Sequence, residues 1–248
     1  MSQEGEHSSY HLVLLPGLDG TGKLFKPFIK QFSSPNQVTV IEYPMDRHIP
    51  IADMAEYIVP KLPKDKPLAI LGESYSGPIA LSLAASNKLD IRQLILVATF
   101  AKYPGSFLKT LSKWLPLSLL LRLPIPNFII KYYCFAEATN EVLSNLLRES
   151  VRANHPSVLA QRAYAGATID VTEKLAHINV PCLYVAASND RMVPVTALEY
   201  LQAHLHTLEV TTIQGAHFIL QVQPKACFDV INSFILNENN LAKPTINQ

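Results

Sequence analysis

The sequence predicts an α/β protein with an open, mostly parallel sheet of about six strands and helices on both faces. Two observations lead to this fold class. Short β-branched or aliphatic runs alternate with helical stretches along most of the chain. The short runs are nearly continuously apolar, which is expected of parallel strands that are covered on both faces. Alternating strand and helix units joined by right-handed crossovers then give an open parallel sheet.

Six strands are predicted, at residues 10–16, 37–43, 67–72, 93–99, 181–187 and 208–213. Helices are predicted at residues 22–32, 51–62, 77–87, 171–176, 194–204 and about 226–236. The segment 101–167 breaks the alternation, because its Leu-rich stretches are punctuated by prolines and it is too long for an ordinary loop. We therefore predict a helical cap at 101–167. It is inserted in a core made of residues 1–100 and 168–237, and the polar tail 238–248 is expected to fray.

Composition and charge argue against several classes of function. The chain has 248 residues, of which 48% are hydrophobic, and a formal net charge of +1. A net charge this close to zero differs from the strongly positive charge that is expected of a nucleic-acid-binding protein. The three cysteines lie far apart without metal-type spacing, so no metal site is predicted. Basic residues interrupt the most apolar region, around 107–135, so we predict no transmembrane segment. The polar N-terminus lacks a secretory pattern, and we expect a cytoplasmic protein.

Ser74 is the candidate nucleophile. It lies in the stretch LAILGESYSGPIALSLAA, between a predicted buried strand and a helix that begins at Gly77. A tight turn from strand to helix lifts a serine hydroxyl out of the sheet, and the helix N-terminus favours developing negative charge. The pattern G-x-S-x-G is matched except that Ser76 replaces the second glycine. On this motif alone, a serine that merely caps the helix remains an alternative.

His217 and Asp190 are the candidate base and acid. A serine hydroxyl needs a base to remove its proton, and the base needs a partner that holds its tautomer. Asp190 and His217 follow the last two predicted strands, at the same edge as Ser74 and in the order serine, acid, histidine. The remaining candidates have structural interpretations, at helix ends, at the opposite edge of the sheet or as a helix cap: His155, His177, His204, His206 and Asp170.

A glycine-rich turn, in LLPGLDGTGKLF, follows the first predicted strand. Such a turn frees backbone N–H groups, and we predict that the amides of Leu18 and Tyr75 form an oxyanion hole. A phosphate-binding loop is the alternative, but the spacing G-x-x-G-x-G differs from that of dinucleotide-binding loops.

The predicted cap is apolar and basic. Its surplus of apolar side chains predicts an acyl pocket lined by Trp114, Phe128 and Tyr132, together with Phe218 beside the histidine. Between residues 101 and 136 there is no acidic residue, and the basic residues are Lys102, Lys109, Lys113, Arg122 and Lys131. These cations form either a solvated face or a docking surface for an acidic acyl carrier, an acyl-CoA or an anionic membrane surface.

Four motifs, PGLDGTGKLF, GESYSG, NDRMVP and GAHF, resemble the oxyanion loop, nucleophile elbow, acid loop and histidine loop of the α/β-hydrolase superfamily. The resemblance covers about residues 10–236. It extends to small capped bacterial esterases and, more distantly, to carrier-protein methyl-ester hydrolases. It implies cleavage of an ester or thioester of an apolar acyl group, a small-molecule substrate, through an acyl-enzyme and without a cofactor. Ser76 and a missing opening β-hairpin depart from the family pattern. Acyl transfer to an alcohol and a non-catalytic ligand-binding role on the same fold remain alternatives.

Overall fold

The computed structural model describes residues 10–34, 37–105 and 117–237, and a six-stranded sheet forms its centre. The strands are β1 (His11–Leu15), β2 (Val38–Val40), β3 (Leu68–Glu73), β4 (Ile91–Val97), β5 (Cys182–Ala187) and β6 (Leu208–Ile213). Their order across the sheet is β2-β1-β3-β4-β5-β6, and every neighbouring pair is parallel. The predicted α/β class and all six predicted strands are confirmed. The central strands are apolar and buried, as their continuous hydrophobic runs require.

Ten α-helices lie in the described ranges: α1 (Lys26–Ile29), α2 (Met54–Ile58), α3 (Gly77–Ala85), α4 (Leu117–Leu120), α5 (Asn127–Ile129), α6 (Glu141–Arg152), α7 (Pro156–Thr168), α8 (Val195–His204), α9 (Ile219–Val222) and α10 (Pro224–Leu236). The predicted helix 51–62 is split, since 3₁₀ turns at Ile51–Asp53 and Val59–Lys61 flank α2. Pro60 has no N–H to continue the α-helical bonding, which accounts for the second turn. Across the ranges given above, no helix has both the length and the hydrophobicity needed to cross a membrane.

Helices cover both faces of the sheet. Side chains of α2, α3 and α8 pack on one face and include Met54, Ile79 and Leu201. Side chains of α1 and α10 pack on the other and include Phe28 and Ile231. Seven of the nine residues of α3 are buried, and this helix packs against β3.

The segment between β4 and β5 has only helical elements in its described part. They are α4 to α7, a π-helical turn at Ile130–Phe135 and 3₁₀ segments at Ala136–Ala138 and Thr172–His177. A separate apolar cluster, which includes Leu24, Phe135 and Leu147, joins this segment to the loop after β1. Lys102 and Asp170 form an isolated antiparallel bridge where the segment leaves and rejoins the core. The proposed boundaries at 101 and 167 remain a prediction, and the predicted tail 238–248 lies outside the described residues.

The strand order reverses between β1 and β3, because the chain runs outward to β2 and then crosses back to β3. Ligands of open α/β sheets bind outside the carboxyl ends of the strands at such a reversal. The loop after β1 and the turn after β3 therefore meet at the position where this fold places a binding site.

Candidate active site

Ser74 lies in a strained turn at the end of β3. Its φ angle is +50°, a left-handed conformation that residues other than glycine adopt rarely. The turn is possible because Gly72 has no side chain: a Cβ there would lie 2.7 Å from the Cβ of Ala80. A Cβ on Gly77 would likewise overlap the side chain of Thr99. Strand, helix and the loop after β4 thus approach closely enough to raise the Ser74 hydroxyl above the sheet edge.

The structure brings Ser74, His217 and Asp190 into one hydrogen-bonded chain. His217 Nε2 lies 2.9 Å from Ser74 Oγ, and His217 Nδ1 lies 2.8 Å from Asp190 Oδ2. The other carboxylate oxygen of Asp190 accepts the backbone N–H groups of Met192 and Val193 at 2.8 and 2.9 Å. An ionised carboxylate only accepts hydrogen bonds, so we assign the proton to Nδ1. That tautomer leaves Nε2 free to accept the proton of the Ser74 hydroxyl.

The loops that carry Asp190 and His217 are tied to each other. The backbone N–H of Ser188 donates to Ile213 at 2.9 Å, and that of Asn189 donates to Gly215 at 2.9 Å. These bonds extend the pairing of β5 and β6 beyond the sheet. The acid and the base are therefore placed by neighbouring parallel strands, and not by independent loops.

The loop after β1 lies directly against Ser74. A Cβ built on Gly17 would be 3.8 Å from the Cβ of Ser74. The N–H of Gly20 donates to the carbonyl of Gly17 at 3.1 Å, which closes a turn around Leu18, and Gly20 has the positive φ of +67° that this turn uses. Tyr75 is in the first turn of the helical elbow, where backbone N–H groups have no intrahelical partner. The amides of Leu18 and Tyr75 are thus on the two segments that flank Ser74.

Ser76, which replaces the usual glycine, is fully buried and has a specific role in the structure. Its hydroxyl donates to the carbonyl of Pro16 and lies 2.6 Å from the hydroxyl of Tyr43. The sequence indicated only that a small residue was needed here. The structure shows that the hydroxyl links the elbow to the loop after β1.

The four residues predicted to line a pocket differ in position. The Phe218 ring packs edge-on against His217, with ring centroids 5.4 Å apart. Tyr132 is half-exposed and lies under the guanidinium of Arg191, 4.1 Å from its ring centroid. Phe128 is 73% exposed and lines an outer groove of about 420 Å³ that contains no triad residue. Trp114 lies outside the described residues. Of the three that the structure describes, only Phe218 contacts a triad residue, and the pocket remains a prediction.

Two of the basic residues for which the sequence left a solvated face or a docking surface open are paired with carboxylates. Lys102 Nζ lies 2.6 Å from Asp170, and Lys131 Nζ lies 3.4 Å from Glu137. Both acids come after the stretch that contains no acidic residue in sequence, which is why composition alone did not reveal them. Lys109 and Lys113 lie outside the described residues, and Arg122 is exposed.

Glu73 is a buried carboxyl that the sequence analysis did not single out. It accepts a hydrogen bond from Gln221 Nε2 at 3.0 Å and is 3% exposed. Burial raises the pKa of Glu73 to about 7, an effect that the Gln221 bond and the charge of His217 oppose. An acidic residue directly before Ser74, at the end of an apolar strand, was the available sequence signal.

The three thiols are not candidate nucleophiles. Cys134, Cys182 and Cys227 are buried, and burial raises the pKa of each to about 12. A thiol with so high a pKa holds its proton at neutral pH and is unreactive.

Several known proteins are similar to this chain. A pimeloyl-[acyl-carrier protein] methyl ester esterase of Neisseria meningitidis serogroup C is 27% identical over 170 residues, 61% of this chain and 62% of that protein. The match therefore spans less than two thirds of this relative's length. An enzyme of the same description from Pseudoalteromonas atlantica is 24% identical over 83% of this chain and 86% of its own. The solved esterase EaEST of Exiguobacterium antarcticum superposes with a TM-score of 0.75 at 16% identity, covering 92% of both chains, which shows a common fold.

A family model gives the broader assignment. The model Hydrolase_4, described as serine aminopeptidase S33, matches residues 48–219. This range is more than half of the chain and contains Ser74, Asp190 and His217, while Leu18 lies outside it. The expected resemblance to α/β-hydrolases is thereby confirmed, and the chain belongs to the Hydrolase_4 family of α/β-hydrolases.

Proposed function

We propose that this protein hydrolyses carboxylic esters or thioesters of an apolar acyl group through an acyl-enzyme formed on Ser74. The observation that carries the proposal is the chain of two hydrogen bonds, 2.8 and 2.9 Å, that links Asp190 to His217 and His217 to Ser74. Relatives described as esterases support the same reaction class.

The first half of the reaction follows from the tautomer of His217. Nε2 accepts the Ser74 proton while Ser74 Oγ bonds to the acyl carbon, and Asp190 stabilises the imidazolium that forms. The amides of Leu18 and Tyr75 hold the negative oxygen of the tetrahedral intermediate, where one such donor stabilises the transition state by ~2.7–4 kcal/mol. His217 then gives its proton to the leaving alcohol or thiol.

The second half repeats these steps with water as the nucleophile. His217 removes a proton from water, the tetrahedral intermediate collapses, and Ser74 leaves with its proton restored. An alcohol that enters instead of water would give acyl transfer. The apolar acyl group is drawn from the resemblance and from the cluster that includes Phe218 and Phe135 beside the triad.

The test is the Ser74→Ala variant, assayed with p-nitrophenyl esters of increasing acyl length and with free and carrier-linked methyl esters. We expect hydrolysis by the wild-type protein and a loss of roughly 10⁶-fold in kcat in the variant. Ser86→Ala is the matched control, because Ser86 is exposed at the far end of α3 and donates only within that helix. It should retain wild-type activity.

Several outcomes separate the alternatives. Ester cleavage that persists in the Ser74→Ala variant would refute Ser74 as nucleophile. Failure of a fluorophosphonate probe to modify Ser74 in the folded protein would favour a ligand-binding role. Ester products formed from added alcohols in preference to the free acid would indicate an acyltransferase. A higher kcat/KM for the carrier-linked methyl ester than for the free one would assign the substrate class that the relatives' descriptions give.

A further inference from the structure

The loop after β1 is held by hydrogen bonds at four successive backbone carbonyls. The Pro16 carbonyl accepts the Ser76 hydroxyl, and the Gly17 carbonyl accepts the Gly20 N–H at 3.1 Å. The Leu18 and Asp19 carbonyls accept one guanidinium nitrogen of Arg162, Nη1, at 3.1 and 3.0 Å. The first two donors come from the core, and Arg162 comes from α7, in the helical segment between β4 and β5.

The Arg162 side chain is buried at this contact. Its side chain is 2% exposed, and its second nitrogen, Nη2, donates to the Pro44 carbonyl at 2.6 Å. Nη1 also donates to the Asn154 side chain at 3.0 Å, and Asn154 in turn donates to the Asp19 carbonyl at 2.8 Å. A buried guanidinium is costly unless its donors are used. Here the donors are used mainly on backbone carbonyls of loops from the core.

Gly20 makes room for this contact. A Cβ on Gly20 would lie 2.5 Å from Arg162 Nη1 and 2.9 Å from the Cβ of Tyr43. The glycine therefore serves two purposes: it supplies the positive φ of the turn and lets the guanidinium reach the loop.

We propose that Arg162 is a positioning residue that sets the orientation of the oxyanion loop, so that the helical segment between β4 and β5 must be docked for Ser74 to react efficiently. The reason is the planarity of the trans peptide, in which a carbonyl and the following N–H point in opposite directions. The Asp19 carbonyl lies opposite the Gly20 N–H, so its bond to Arg162 directs that N–H to the Gly17 carbonyl. The Gly17 carbonyl in turn lies opposite the Leu18 N–H, which this arrangement turns toward Ser74. This inference rests on the proposed ester hydrolysis.

The experiment compares Arg162→Gln with Arg148→Gln. Arg148 is a matched control, because it also donates to a backbone carbonyl, that of Ile125, but entirely within the helical segment. For each protein we would measure kcat and KM on p-nitrophenyl acetate and the inhibition constant of a trifluoromethyl ketone, whose adduct with serine carries an oxyanion. Hydrogen exchange of the amides at 17–21 would report the loop directly, independent of activity.

We expect Arg162→Gln to lower kcat by about 10²-fold, as the loss of one oxyanion donor does, and to weaken the ketone by a similar factor. KM should change by less than about threefold, because substrate binding does not use the oxyanion hole fully. Exchange at 17–21 should become faster. Arg148→Gln should match the wild type in all four measurements. If loss of an arginine contact merely destabilised the helical segment, Arg148→Gln would change these measurements as well.

Other outcomes would contradict the inference or the proposed function. A folded Arg162→Gln protein with wild-type kcat, ketone affinity and loop exchange would overturn the inference. If that variant does not fold, Asn154→Ala removes another donor to the Asp19 carbonyl and must show the same pattern, and a wild-type result would overturn the inference equally. If loop exchange rises but the wild-type protein has no Ser74-dependent activity, the proposed function fails while the loop contact stands.

Discussion

Replacing Glu73 by glutamine should stabilise the protein above neutral pH. Glu73 is buried at the end of β3, and burial raises its pKa from 4.5 to about 7, with smaller opposing effects from Gln221 and the charge of His217. In the folded protein the carboxyl keeps its proton up to about pH 7, whereas in the unfolded chain it loses it near 4.5. Between these values the folded state binds more protons, so the free energy of unfolding falls as pH rises.

The magnitude follows from the same two values. The pKa of Glu73 rises from 4.5 in the unfolded chain to about 7 in the folded protein. At about 1.4 kcal/mol per pKa unit, this difference lowers the free energy of unfolding by about 3 kcal/mol, and the loss is complete above pH 7. Glutamine has nearly the same shape, carries no charge and retains an oxygen that accepts from Gln221. Glu73→Gln should therefore be about 3 kcal/mol more stable than the wild type at about pH 8, with little difference below about pH 4.5.

Urea unfolding of both proteins at several pH values from about 5 to about 8 measures this difference. Other shifted groups such as Asp19 affect both proteins and largely cancel in the comparison. Glu209→Gln, on the exposed side of the edge strand β6, is the control and should follow the wild-type curve. A Glu73→Gln protein that is less stable than the wild type at about pH 8, or a difference that does not vary with pH, would refute the reasoning.

Two further substitutions test the geometry of the triad and the elbow. Asp190→Asn should lower kcat by up to about 10⁴-fold with little change in KM, because the new amide favours the wrong tautomer of His217; a loss of less than tenfold in steady-state assays would contradict the orienting role. Gly77→Ala should lower the free energy of unfolding in urea by about 1–3 kcal/mol, because its Cβ overlaps the side chain of Thr99. An unchanged unfolding midpoint would contradict that close approach.

The triad could be predicted from the sequence because its members follow parallel strands, which end at one edge of the sheet. A continuous apolar run identifies β3 as a buried strand, whereas β6, which precedes His217, ends the sheet and has only Ile213 buried. Ser74, Asp190 and His217 were therefore placed together without knowledge of any helix position. The predicted pocket depended instead on how the helical segment packs, and there the composition did not distinguish Phe128, which is exposed, from Phe218, which contacts His217.

The sequence by itself determined the strands, the order of strands and helices along the chain and the three side chains at the edge of the sheet, since these depend on local hydrophobic periodicity and on chain direction. Only the tertiary structure revealed that Ser76 and Arg162 hydrogen-bond to the loop after β1 and that Glu73 is buried beside the triad. Those contacts join residues more than 50 positions apart, and Arg162 sits on a helix whose sequence has no feature that distinguishes a buried arginine from a solvated one. Burial and hydrogen bonding of a polar side chain are properties of its packed surroundings, and no local pattern encodes them.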